Sequence, residues 1–348
     1  MKVIPPPTIL RKYSKNSIFN ENGKLRYLES NEKLLDGELA RNYFYKQQPL
    51  RLHCKICGSE MPPLIDFISH EVPYKFCISC GHLNGNYDET QDFLNTLYMS
   101  DSVGEYSSDY IDENFKYRTE SIYLPKVDFL IEASLGNKFS VLDVGCGSGY
   151  FVYACYLRGI SATGIDVSKQ MIDFGNNQIY CQNRLTPLAQ INESEFYKCI
   201  VETDVTVISA IGVIEHLKNP HNLFEAFEKS NAKLLYFSVP MFSASVVFEN
   251  IFQNIYPRQL SGAHTHLFTE QSIYELLKIH KLSSIAEWRF GSDIMDLYRS
   301  ILINLSKNKC SNELISRFES GFASKIDSMQ TALDQNNFCS EIHCLVKK

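Results

Sequence analysis

The chain has 348 residues, 44% hydrophobic and 21% charged, with a formal net charge of −6, the proportions of a globular protein with room for one large domain and a small one. The negative balance argues against a general nucleic-acid binder, and no apolar run of about 18 residues is present to span a bilayer. Eleven cysteines behind an N-terminus, "MKVIPPPTILRKYSKNS", that reads as no export signal predict reduced thiols or metal ligands in a cytoplasmic protein rather than a disulfide framework.

Residues 1–50 are polar and carry three consecutive prolines, Pro5 to Pro7. They read as a loosely ordered arm with a helix near 30–46. Residues 51–90 hold two CxxC pairs and form a small module. Residues 91–135 are a tyrosine-rich connector leading into a helix that Pro125 kinks or restarts. From 136 to 348 the pattern alternates. Strands are expected at 139–145, 161–168, within 204–217, at 232–240, 283–290 and 340–348. Helices are expected at 149–159, from 169, at 269–282 with Thr269 as N-cap, and across 293–334. Strand–helix alternation over this length predicts an α/β domain: a Rossmann-like, mainly parallel sheet with helices on both faces.

The cysteines Cys54, Cys57, Cys77 and Cys80 are spaced C-x2-C-x19-C-x2-C, and a glycine follows each pair, Gly58 and Gly81. Four thiolates at this spacing suit a closed tetrahedral zinc site with a structural role. The plain alternative is four reduced cysteines in a small core. Between 51 and 90 three basic residues (Arg51, Lys55, Lys75) face five acids (Glu60, Asp66, Glu71, Asp88, Glu89). A phosphate-binding surface needs clustered Lys and Arg, so packing or a substrate lid fits this module better.

"VLDVGCGSGYF" runs strand, glycine loop, helix. Gly145, Gly147 and Gly149 permit a tight turn and close backbone approach to a ligand. Asp166 ends the next strand nineteen residues after Gly147, a spacing that suits a carboxylate gripping ribose hydroxyls. Two details argue against a dinucleotide. The third glycine comes one residue early, and Asp143 at the mouth of the loop would repel a pyrophosphate but attract an ammonium group.

"LDVGCGSG", "GIDVS" and "GVIEHLKNP" together resemble class I S-adenosylmethionine-dependent methyltransferases over roughly residues 105–348. The order of zinc module and methyltransferase is similar to bacterial deoxysugar C-methyltransferases, and less closely to ribosomal RNA guanine methyltransferases with a zinc ribbon in front. The resemblance implies that the 143–149 loop, with Gly145, Cys146, Gly147 and Gly149, lines the methionine part of S-adenosylmethionine. It puts Asp143 near the amino group or a bridging water, Asp166 on the ribose and Val167 against adenine. Ala210 and Ile211 would lie near the sulfonium, and Tyr106, Tyr110 and Arg118 would close over the cofactor carboxylate. "CQNRLTPLAQINESEF" departs from the family pattern, since it offers no acid at a strand end to read the adenine amine.

Removal of an acceptor proton needs a positioned base. Glu215 and His216 follow the fourth strand, at the carboxyl edge where open α/β sheets bind ligands; in the deoxysugar relatives a matching histidine lies near the acceptor. "GAHTHLFT" adds His264 and His266. In an extended stretch they point the same way, and an imidazole with a near-neutral pKa suits proton removal. As metal ligands they lack a third partner nearby; as core histidines they would be inert. The deoxysugar enzymes carry a Glu–His pair in a comparable segment, where this chain has Ala263 before His264. The reading favours His264 as base, with His216 as partner. Residues 241–266, apolar and aromatic, read as a lid over the methyl donor.

These observations predict an S-adenosylmethionine-dependent methyltransferase acting on a sugar, nucleotide-linked or a surface-polysaccharide precursor. An RNA or protein methyltransferase that docks its substrate through the zinc module is the second reading, and a cofactor-binding scaffold without catalysis a third. O- versus C-methylation and oligomeric state stay open.

Overall fold

A computed structural model describes residues 9–14, 30–94, 115–136, 138–183, 185–260 and 264–348. Its main sheet has eight strands: β1 (Leu10–Tyr13), β5 (Ser140–Val144), β6 (Ser161–Asp166), β7 (Leu188–Gln190), β8 (Val207–Ile211), β9 (Leu234–Pro240), β11 (Ser283–Phe290) and β12 (Glu341–Lys347). Their order is β1-β11-β12-β9-β8-β5-β6-β7. All neighbours are parallel except β12, which is antiparallel to both β9 and β11. The expected α/β, Rossmann-like sheet is therefore present.

Alternation along the strands sorts their side chains between two cores. Leu142, Val144, Ile208, Ala210, Leu235, Phe237 and Val239 face one, shared with Ile200, Phe224, Phe227 and Leu276 of the helices Glu193–Glu202, His221–Lys229 and Glu270–Ile279. Val141, Val207 and Tyr236 face the other, shared with Phe129 of Leu124–Ala133 and Phe151 of Tyr150–Leu157. A fully buried Phe224 or Phe237 contributes about 1.5–3 kcal/mol from removal of its surface from water.

β5 pairs with β6 on one side and β8 on the other. The chain runs outward in opposite directions from this point, which opens a crevice at the carboxyl ends of β5 and β8.

The cysteine segment forms a second sheet of β2 (Phe67–Ser69), β3 (Val72–Phe76) and β4 (Leu83–Gly85), and β10 (His266–Leu267) adds to the edge of β4. Cys54, Ile56, Met61, Cys77 and Cys80 share the core of Phe224 and Leu276, so the cysteine segment packs directly on the main sheet.

Three elements differ from their sequence-based outlines. The arm contributes β1, parallel to β11, and the Trp288 indole donates to the Ser14 carbonyl at 2.8 Å. "LRKY" is too short and polar to show period two, and the open edge of β11 decides the pairing. Residues 241–266, expected as a lid, contain the helix Ala244–Ile251. Glu249 accepts the backbone N–H groups of Arg258, Gln259 and Leu260 at 2.7, 2.7 and 3.1 Å, and Arg258 pairs with Asp296 at 2.9 Å. The stretch 293–334 resolves into helices Asp293–Lys307, Asn312–Phe322 and Ile326–Gln335. Among the described residues no helix is long and apolar enough to cross a membrane.

Candidate active site

The glycine loop follows β5 directly. Gly145 and Cys146 donate N–H groups to the Ile165 carbonyl at 2.8 and 3.1 Å, and Gly149 donates to Cys146 at 2.9 Å. Gly145 and Gly149 have φ of +67° and +74°, and a Cβ on them would stand 2.6 Å from Val213 and 2.5 Å from Leu188. Only glycine meets both demands. Gly147 donates its N–H to Asp166 at 2.8 Å, and Ser168 donates to the other Asp166 oxygen at 2.8 Å. The two amides hold the carboxylate still at the end of β6. Burial pushes Asp166 upward, and these amides oppose it.

Asp143 lies one residue before the end of β5 and is 3% exposed. Ser209 of β8 donates to it at 2.6 Å, and burial pushes its pKa up to about 7. Cys146 is buried over Gly164, where a Cβ would stand 2.7 Å from its sulfur. Val167 presents partly exposed apolar surface beside Asp166. At the end of β8, Ala210 is buried and Ile211 half-buried. Arg118 stands 5.5 Å over the Tyr150 ring, on which Tyr123 also stacks at 5.2 Å. Tyr106 and Tyr110 lie outside the described residues.

Two neighbours of this loop escaped the sequence. Ser209 carries no motif; only the β5–β8 pairing brings it to Asp143. Gln190 ends β7 with its amide 3.5 Å from the Val167 carbonyl, and its polar head occupies the strand end where no acid stands.

Beyond β8, Gly212 turns the chain with φ +68° and the short helical turn Ile214–His216 follows. Glu215 is 5% exposed, one of its oxygens (Oε2) has no partner among the described residues, and burial pushes its pKa up to about 8. The His216 and His264 rings stand 5.2 Å apart. Ligand atoms of Glu215, His216 and His264 lie within 4.8 Å of one another. His264 Nδ1 is 3.0 Å from the Gln259 carbonyl. A carbonyl only accepts, so Nδ1 carries the proton and Nε2 keeps a lone pair. Burial pushes this imidazole down to about 4: it is neutral, and more weakly basic than the near-neutral value expected. A carboxylate and two imidazoles are also a donor set for a divalent cation.

His266 goes elsewhere. It is fully buried, its Nδ1 lies 2.8 Å from His82 Nε2, and His82 in turn meets Ser272 at 3.2 Å. The strand begins only at His266, so period two does not extend back to His264, and the two histidines have different partners.

The four cysteines come together as a set. Their sulfurs lie within 4.8 Å of one another, with Cys54–Cys80 at 3.6 Å and Cys57–Cys77 at 3.5 Å. Tetrahedral Zn–S bonds of about 2.3 Å place sulfurs roughly 3.8 Å apart, so the residues fit the metal. Gly58 and Gly81 have φ of +69° and +68° and donate to the Cys54 and Cys77 carbonyls at 3.0 and 2.8 Å, closing both knuckles.

The crevice at the sheet's switch point, the three-glycine loop and the acid at the end of β6 lie within a Rossmann-like methyltransferase fold. The chain belongs to the methyltransferase-domain family, which its residues 109–282 match, half of its length. It is 27% identical over 136 residues to a ubiquinone biosynthesis O-methyltransferase of Dechloromonas aromatica, covering 36% of this chain and 54% of the relative. A protein of the same description from Glaesserella parasuis is 29% identical over 89 residues, covering 25% of this chain and 38% of the relative. The chain thus spans about half, or less, of the length of these relatives. Among solved structures, the magnesium protoporphyrin IX methyltransferase of Synechocystis PCC 6803 aligns with a TM-score of 0.45 and 12% identity over 74% of this chain and 100% of its own.

Proposed function

We propose that this methyltransferase acts on a sugar, nucleotide-linked or a surface-polysaccharide precursor, with His264 as the group that takes the acceptor's proton. The observation that carries the base assignment is the Gln259 carbonyl at 3.0 Å from His264 Nδ1, which leaves Nε2 free to accept. Glu215 and His216 beside it would orient the imidazole.

S-adenosylmethionine, when bound, supplies an electrophilic methyl group on a sulfonium. In this reading the 145–149 loop cradles the methionine chain and Asp143 pairs with its ammonium. Asp166 would accept the ribose hydroxyls, Val167 and Gln190 would border adenine, and Ala210 and Ile211 would approach the sulfonium. Arg118 would face the carboxylate. When an acceptor oxygen or carbon takes this methyl group from sulfur, His264 Nε2 would receive the acceptor's proton. The products are the methylated acceptor, S-adenosylhomocysteine and one proton, which leaves through the imidazole. His266 would support the segment rather than meet the acceptor, because its partner is His82.

Cys54, Cys57, Cys77 and Cys80 would hold one structural zinc in the 51–90 module, and 241–266 would wall the acceptor pocket. The module's charges favour a sugar over a nucleic acid. Arg51 and Lys55 are turned inward onto Glu89 at 2.6 and 3.1 Å, and Arg51 also pairs with Asp88 at 3.0 Å. They are spent on internal acids and cannot track phosphates. Mass spectrometry of a nucleotide-sugar panel, total RNA and cell protein, each incubated with enzyme and isotopically labelled S-adenosylmethionine, tests this. Label in a sugar nucleotide supports the proposal; label confined to RNA or protein replaces it with the docking reading.

A further inference from the structure

Thr265, between the two histidines, is held by the cysteine module rather than by its own neighbours. Its hydroxyl donates to the Glu89 carboxylate, and its carbonyl accepts the Gly85 N–H at 2.8 Å. Next to it His266 registers opposite Asn84 of β4. Glu89 is 2% exposed and does more than bridge to Thr265. Arg51 donates to its other oxygen, Oε2, and Lys55 shares Oε1 with Thr265. Lys55 sits inside the first cysteine knuckle, its N–H donating to the Asn84 side chain at 3.1 Å, while the Asn84 amide lies 3.6 Å from the Cys54 sulfur. A continuous path of buried and part-buried polar contacts therefore runs from Cys54 through Asn84, Lys55 and Glu89 to Thr265, the residue that follows His264. No step of it touches the glycine loop or Asp166.

We propose that Glu89 is a positioning residue for His264: through Thr265 the metal-loaded cysteine module sets the backbone from which the imidazole projects. This rests on the reading of His264 as proton acceptor. Gln259 anchors the imidazole from one side, itself held by Glu249 at 2.7 Å, and Thr265 anchors the backbone from the other. Loss of the metal, or of the Glu89 contact, releases the second anchor. His264 then leaves its single tautomer while cofactor binding persists. The module is in this way part of the acceptor side of the site.

The test is nitrogen NMR of [15N]histidine-labelled, zinc-loaded protein, with His264 assigned by His264→Gln. Wild type is expected to show one protonated and one bare nitrogen at widely separated shifts. In Glu89→Gln, in Thr265→Val and after chelation of the zinc, the two shifts move toward their average as tautomers exchange. Calorimetric affinity for S-adenosylmethionine stays within about twofold of wild type, as for sites without shared partners. Thr265→Val leaves Glu89 with both cations, so it carries the test if Glu89→Gln does not fold. Unchanged His264 signals in Thr265→Val and in the metal-free protein overturn the proposal. So does a loss of cofactor affinity that parallels the His264 change, which would make the module a support for the cofactor site as much as for His264. If the tautomer responds as expected but His264→Ala methylates the nucleotide-sugar panel at full rate, the base reading fails and the positioning stands.

Discussion

Ser209 donates its hydroxyl to Asp143 at 2.6 Å, tying β8 to β5 where the sheet's two halves diverge. Among the described residues the bond is the one hydrogen bond this buried carboxylate accepts, fewer than such a group usually has. An ammonium group is the natural complement.

That shortage sets a pH dependence. Burial raises Asp143 from an ordinary 3.8 to about 7 in the fold, so the folded protein holds the proton more tightly than the unfolded chain. The stability this group contributes is fully present below the unfolded value and is lost as pH rises through 7. An ammonium ligand needs the ionised form. The rise in melting temperature caused by S-adenosylmethionine is therefore expected to grow as pH increases across 7, and to lose that dependence in Asp143→Asn. Thermal scans with and without cofactor measure it; a gain that is flat with pH in wild type excludes an Asp143–ammonium contact.

Asp166 accepts two backbone amides at 2.8 Å each and has lone pairs left for hydroxyls. Asp166→Ala removes charged hydrogen bonds of about 1.5–3 kcal/mol each. The affinity for S-adenosylmethionine should fall at least about tenfold at a cost of 1.4 kcal/mol. Calorimetry reads this directly, and an unchanged affinity removes Asp166 from the cofactor site.

His264→Ala should slow single-turnover methylation of the acceptor found in the product screen by about 10²–10⁴, the usual effect of losing a general base. His216→Ala and Glu215→Gln should cost less, because they act through the imidazole. Cofactor affinity should hold in all three. A chelator arm separates the two chemistries open to this trio: activity lost on adding chelator to zinc-loaded enzyme and restored by manganese would assign the trio to a cation instead.

One zinc per chain is expected from elemental analysis, falling to none in Cys77→Ser. The site joins the core of the main sheet, and His221 reaches the Ile56 carbonyl of the first knuckle at 2.8 Å. Zinc loss should accordingly lower the melting temperature of the whole chain. Zinc-free protein as freshly purified, with an unaltered melting temperature, would leave the four thiols as plain core.

The sequence by itself determined what local backbone geometry and chain order demand. Gly145 and Gly149 must be glycine at positive φ against Val213 and Leu188, a requirement written into consecutive positions and read from them. The CxxC knuckles and the strand–helix alternation are local in the same sense, and the glycine loop between β5 and its helix is legible through them. Tertiary structure alone decided the rest, because the partners lie far apart in the chain and leave no spacing to detect. Ser209 meets Asp143 across 66 positions and Thr265 meets Glu89 across 176. His264 and His266, two residues apart, were read as one pair. The fold gives them to different partners because one lies before a strand that begins at the other, and that start is set by pairing with β4 in a module some 180 residues upstream.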